Sequence, residues 1–114
     1  MIDCRFCAIV AGRAPAKKLG ETTHVLAFRD ANPQAPTHVL LIPKEHVADS
    51  VADLGPQHAT MLVELFELAA RIADQERLEL GWRLVTNVGP EAGQSIPHLH
   101  FHLLGGRQMR WPPG

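Results

Sequence analysis

The run His98-Leu99-His100-Phe101-His102-Leu103-Leu104 decides how this chain is read. Histidines alternate with apolar residues through it, and in a β-strand successive side chains point to opposite faces. As a strand, the run puts all three imidazoles on one face and Leu99, Phe101 and Leu103 on the other. A helix would bring His98 and His102 together but swing His100 to the far side. Pro97 before the run and Gly105-Gly106 after it bound a strand over Pro97 to Leu104. Each neutral imidazole has one donor and one acceptor nitrogen and titrates near neutrality. A row of them, about 6 to 7 Å apart, can therefore divide labour: one as a nucleophile, one on a phosphoryl oxygen, one fixing a tautomer or binding metal. Two other readings fit the same spacing: a merely polar strand face, and a histidine pair chelating one zinc ion.

The loop just before the run, Asn87-Val88-Gly89-Pro90-Glu91-Ala92-Gly93-Gln94-Ser95, has the composition of an anion site. Its glycines let backbone N–H groups approach a ligand, and Asn87, Gln94 and Ser95 add neutral donors. Gly93-Gln94-Ser95-Ile96-Pro97 lacks the second glycine of a serine nucleophile elbow. Ser95 is accordingly read as a phosphate ligand or a leaving-group partner.

Further out, Phe6, Ile9 and Val10 at helical spacing predict a short helix over Cys4 to Ala11, stopped by Gly12. Strands are expected at His24 to Arg29, at Thr37 to Ile42 and at Trp82 to Asn87, with a shorter one at Lys17 to Thr22. Gly55-Pro56 opens one long helix, whose apolar stripe from Met61 to Ala73 carries it to about Arg77. Strands on both sides of one long helix, with no βαβ alternation, predict an α+β fold built on a mainly antiparallel sheet of about five strands. His24 and His58 read as surface or cap residues, and Lys17, Lys18, Lys44 and Arg107 as solvated. The ending, residues 105–114, reads as an irregular tail in which Trp111 needs something to bury against.

At 114 residues, 46% hydrophobic and 20% charged, the chain has the size and balance of one domain over 1–114 with a core of its own. Eleven basic and twelve acidic side chains leave a net charge of −1, which excludes a general nucleic-acid surface. The longest apolar run, Val39-Leu40-Leu41-Ile42, is far short of the roughly 20 residues of a membrane helix. Met1 to Arg5 carries no basic stretch leading into an apolar one, so the expected location is cytoplasmic. Cys4 and Cys7 stand together at a helix start with no preceding strand, which disfavours a thioredoxin-like redox pair. Zinc needs four ligands, and His46 is a candidate third. The alternative is two reduced cysteines packed at the helix start.

Taken together these residues resemble the histidine triad (HIT) family, whose motif His-φ-His-φ-His-φ-φ (φ apolar) is matched in full by His98 to Leu104. The similarity is closer to the Hint branch, the nucleoside phosphoramidate hydrolases. Asp30 through Pro43, with Pro33-Gln34-Ala35-Pro36-Thr37-His38, looks like that branch, as do Gly93-Gln94-Ser95 and the ending Leu104 to Gly114. The resemblance implies a HIT-like fold, a homodimer whose tail reaches toward the partner's site, and a small purine nucleotide as ligand. It implies cleavage of the P–N bond of nucleoside 5′-phosphoramidates, or of related adenylates, through a nucleotidyl-histidine on His100. Cleavage of dinucleoside polyphosphates, as in other branches, and a nucleotide-binding regulatory or scaffold role with incidental hydrolysis are the alternatives.

Residue by residue, the resemblance implies that His102 and Ser95 contact the phosphate and that Gln94, Gly93 and Asn87 complete its cradle. His38 would lie close behind the nucleophile and help set its protonation. Asp30 would accept from the ribose hydroxyls, and Phe6, Ile9 and Phe28 would sandwich the base. Ala14 and Ala31 replace the branch's larger aliphatic residues, which implies a looser base pocket. Pro97 replaces an aromatic, which alters how the strand enters the sheet. No cofactor is implied for catalysis. Members with a cysteine pair carry a structural zinc, here implied to be held by Cys4, Cys7, His46 and His98.

Overall fold

Seven consecutive residues, Thr37–Pro43, are buried without a break, so a layer must cover each face of the sheet they occupy. The computed structural model describes residues 4–114. Helix α1 (Arg5–Val10) leads to strands β1 (Lys18–Glu21), β2 (Val25–Arg29) and β3 (Thr37–Pro43). Helix α2 (Ala59–Gln75) follows, then β4 (Trp82–Val85) and β5 (Phe101–Gly105). The strands form one antiparallel sheet in the order β1-β2-β3-β5-β4. This is the α+β architecture expected, with the predicted long and short helices.

α2 covers one face. Its Leu65, Leu68 and Ile72 are almost fully buried against Val25, Ala27, Val39, Leu41, Leu99, Phe101 and Leu103. Each such side chain contributes about 1.5–3 kcal/mol through removal of apolar surface from water. On the other face, Phe6 and Ile9 of α1 pack on Leu26, Phe28, Leu40 and Ile42. That second layer is thinner, since α1 has only six residues, and the candidate functional side chains stand on this face, beneath Phe6 and beside it.

Boundaries moved where hydrogen bonds found other partners. β5 begins at Phe101 rather than Pro97 because Leu99 N–H donates to the Ala48 carbonyl (2.9 Å) and Thr86 Oγ1 donates to the His100 carbonyl (2.8 Å). The alternation of faces nonetheless runs on: Leu99, Phe101 and Leu103 lie in the α2 layer, while His98 and His100 pack on Phe6. β4 stops at Val85, opposite His102. Pro56–His58 forms a separate 3-10 turn before α2, in which His58 Nδ1 accepts from Gly55 N–H (3.0 Å). α2 ends at Gln75, where Arg77 turns left-handed (φ 58°). Bonds from Leu78 N–H to Ala73 O (3.0 Å) and from Arg77 N–H to Asp74 O (3.1 Å) close it as a Schellman motif. His24 is on the surface, bonded to Glu64 at 2.7 Å. Trp111 stays 81% exposed within the single chain, with the Arg83 guanidinium 5.6 Å from its ring centre. No helix is long and apolar enough to cross a membrane among the described residues.

Candidate active site and metal centre

The α1 face of the sheet opens into a cavity of about 760 Å³. Phe6, Ile9, Phe28 and Leu40 form its apolar wall, and Asp30, Ala31, Ser95, His100 and His102 stand along it. Of the residues expected around a nucleotide, Asn87, Gly93 and Gln94 do not line it. Asn87 and Gln94 are hydrogen-bonded within the protein. Asn87 Nδ2 donates to Ala92 O (2.7 Å). Gln94 Oε1 accepts from Gly89 N–H (3.0 Å), and its Nε2 donates to Asp49 O (2.7 Å) and Ile96 O (3.2 Å). These amides brace the loop. Gly93 sits at φ 80°, a left-handed turn that glycine adopts without a Cβ penalty. Arg5, Lys17 and Ile96 line the cavity without having been singled out for it. Lys17, a solvated residue by its local sequence, stands at the cavity, and nothing in that sequence marks it for a cavity rim.

The imidazoles are held in defined tautomers by what surrounds them. His100 Nδ1 lies 2.7 Å from the His98 carbonyl, and a carbonyl only accepts, so Nδ1 carries the proton. In the neutral ring the lone pair is then on Nε2, and the ring forms part of the cavity wall. His38 lies behind His102, not behind His100 as expected. The β3–β5 register sets this: Leu40 faces His102 and His38 faces Leu104, so the two histidines are diagonal neighbours on one face. His38 Nδ1 accepts from Gln34 N–H (2.9 Å), so its Nε2 carries the proton. That proton is directed at His102 Nδ1 (2.9 Å), with Asp30 Oδ2 at 3.3 Å. Neutral His102 accepts there and carries its own proton on Nε2.

Burial pushes the His102 pKa down to about 4, and the neighbouring His100 and His38 push it the same way. Burial also lowers His38, against the opposing pull of the Asp30 carboxylate. Both rings are therefore neutral near pH 7. Asp30 Oδ1 accepts from Asn32 N–H (2.8 Å), which anchors the carboxylate at the cavity wall.

The third triad member faces elsewhere. His98 is completely buried, with Nδ1 3.3 Å from Cys4 Sγ and 3.6 Å from Cys7 Sγ. His46 Nδ1 is 3.6 Å from Cys7 Sγ. The four ligand atoms of Cys4, Cys7, His46 and His98 all lie within 4.8 Å of one another. The far nitrogens are also engaged: His98 Nε2 donates to Pro43 O (3.0 Å), and His46 Nε2 to Asp49 Oδ1 (3.0 Å). Such outer hydrogen bonds fix the tautomer a metal-ligating histidine needs. Two thiols and two imidazoles, each with its ligating atom turned inward, fit a structural zinc. The two thiols shift in opposite directions. Burial and the neighbouring Cys4 raise Cys7. For Cys4, burial is outweighed by hydrogen bonds from Cys7 and the α1 backbone, and the net shift is downward. A bound cation would favour the thiolate in both. Cys4 also caps α1, its Sγ accepting from Cys7 N–H at 3.3 Å.

This geometry has close counterparts. The HIT domain family matches residues 11–109. The chain is 49% identical to the 14 kDa zinc-binding protein of Zea mays over 112 residues, 96% of this chain and 86% of that protein. It is 46% identical to adenylylsulfatase HINT1 of Arabidopsis thaliana, covering 96% of this chain and 75% of that one. The crystal structure of a HIT family hydrolase from Legionella pneumophila superposes with a TM-score of 0.94 at 48% identity, over 98% of this chain and 100% of that one. With His100 and His102 at the cavity wall, His98 at the cysteine pair and the family matched over residues 11–109, the chain belongs to the HIT domain family, in its Hint-like branch.

Proposed function

We propose that this protein is a nucleotide-binding hydrolase that cleaves nucleoside 5′-phosphoramidates, with adenosine as the expected nucleoside, or related adenylates. The observation that carries the reading is the pair of complementary tautomers at the cavity wall. His100, with Nδ1–H held on its own backbone, presents a lone pair, and His102, with Nδ1 accepting from His38, presents an N–H. His100 Nε2 attacks the α-phosphorus, and the P–N bond to the leaving group breaks as the departing nitrogen takes up a proton. Ser95, on the cavity rim, is the hydroxyl available to the phosphate or the leaving group. His102 Nε2–H stabilises charge developing on a phosphoryl oxygen. Water then attacks the same phosphorus and gives up a proton to solvent, in place of the one that solvent supplied to the leaving nitrogen, and His100 leaves as the neutral ring it began as. The apolar wall of Phe6, Ile9, Phe28 and Leu40 suits a base, and the Asp30 carboxylate suits two vicinal ribose hydroxyls. Zinc, where bound, is structural in this scheme and takes no part in the chemistry.

The relative named for adenylylsulfatase activity supports the adenylate half of this substrate class. A homodimer is part of the proposal. β4 is an edge strand, Trp82 on it and Phe66 on α2 are 40% and 46% exposed, and Trp111 lacks cover within one chain. Turnover of adenosine phosphoramidate, adenylyl sulfate and a diadenosine polyphosphate should be compared on one preparation. The expected order puts the first two well above the third. Efficient cleavage of the diadenosine compound alone would reverse the assignment, and tight AMP binding without any turnover would make the protein a nucleotide-binding regulator.

A further inference from the structure

Three separate contacts run from the cysteine–histidine centre to the cavity wall. The first is His98 itself. Its ring faces the two thiols, while its main-chain carbonyl accepts the Nδ1 proton of His100 at 2.7 Å. The second is α1. Phe6 sits between the two cysteines in sequence, and its ring packs edge-on against both His98 (5.7 Å between ring centres) and His100 (5.1 Å). Phe6 and Ile9 are also the α1 part of the cavity wall. The third is Asp49. Its carboxylate holds His46, and its carbonyl accepts from Gln94, the residue that braces the loop before Ser95. A six-residue helix is too short to hold itself in place. Apart from the packing of Phe6 and Ile9, α1 is fastened to the triad segment through Cys4 and Cys7.

We infer that the Cys4–Cys7–His46–His98 centre is a positioning device for the nucleotide cavity, so that metal occupancy sets both nucleotide affinity and the orientation of His100. The inference rests on the nucleotide reading of the cavity given above. When the four ligands share one zinc ion, α1 is tied to His98, Phe6 is pressed against His100, and the His98 carbonyl is fixed where it selects the nucleophile's tautomer. When they do not, only thiol–imidazole hydrogen bonds are available to join the cysteines to His98, and sulfur is a weak hydrogen-bonding partner. His98 acts here as a positioning residue, through its carbonyl, and not as a catalytic one.

The test compares full-length protein loaded with zinc and the same protein stripped by a chelator under reducing conditions, both checked by far-UV circular dichroism. Calorimetry reads AMP affinity, and ¹⁵N spectra of labelled histidine read the ring nitrogens of His100. Stripping should weaken AMP binding at least about tenfold, equivalent to about 1.4 kcal/mol. It should also replace the single Nδ1–H pattern of His100 by a mixture of tautomers. Adding zinc back should restore both. If the stripped protein loses its fold, Asp49→Asn, which removes no ligand, is titrated with zinc instead. Affinity and the His100 pattern should then track occupancy across the range in which the circular dichroism is constant. Folded protein that binds AMP equally well with and without zinc, its His100 spectrum unchanged, overturns the inference. Zinc-loaded protein that binds no AMP defeats the nucleotide reading instead, and the His100 spectrum alone then decides whether the centre positions the ring.

Discussion

The two ends of the histidine run are made of the same residue type on the same face, yet they serve different neighbours. At the His98 end the ring is fully buried and turned toward thiols delivered by α1, with its far nitrogen on a β3 carbonyl. At the His102 end the ring borders the cavity and accepts from His38, which stands diagonally across from it on β3. His100, between them, is oriented by its own backbone. Alternation assigns a face, whereas the chemistry of the two end imidazoles is assigned by residues distant in sequence: His38 is 64 positions from His102, and Cys4 is 94 from His98.

Substitutions can break this contrast, and the largest effect should be at its centre. His100→Ala should retain nucleotide binding but lose turnover of adenosine phosphoramidate by about a thousandfold or more, read in steady-state kinetics beside AMP calorimetry. His38→Ala removes the group that fixes the His102 tautomer. Turnover should fall about a hundredfold, with AMP affinity nearly unchanged. Loss of affinity with unchanged kcat would instead make His38 a binding residue. At the metal end, Asp49→Asn should weaken zinc binding about 10- to 100-fold, measured by competition with a chromogenic chelator, while His38→Ala should leave zinc affinity alone.

The smallest effect separates the two ends by pH. His102 is held at about 4 in the folded protein by burial and its neighbouring imidazoles, against about 6.5 for an unfolded histidine. Between those values the unfolded chain holds the extra proton, so this contribution is full above about pH 6.5 and is lost as pH falls toward about 4. The acid decline of Tm should therefore be shallower in His102→Gln than in the parent protein, both measured with zinc saturating. An identical decline would place the acid-sensitive group elsewhere.

Much of this molecule is legible in the order of its residues, because the deciding signals are local and periodic. The alternation from His98 to Leu103 predicts the two faces that Phe6 and α2 cover, and the apolar stripe of α2 predicts its buried side. What stayed illegible depends on partners remote in the chain. The start of β5 shifted because Leu99 finds Ala48. The internal partners of Asn87 and Gln94, among them Ala92 and the remote Asp49, are likewise set by the fold. The place of His38 depends on strand register, which a single sequence does not print. The metal ligands gather from three segments, and their common location follows from resemblance, not from spacing.

A His100 nucleophile would carry the nucleotidyl group between the two steps, where it can be trapped. The wild-type protein should be mixed with excess adenosine phosphoramidate, quenched within milliseconds, digested and examined by mass spectrometry under conditions that preserve phosphohistidine. A nucleotidyl group is expected on the peptide that carries His98 to His102, located at His100 and absent from the His100→Ala protein. An adduct on another residue, or undiminished turnover in His100→Ala without any adduct, would contradict it.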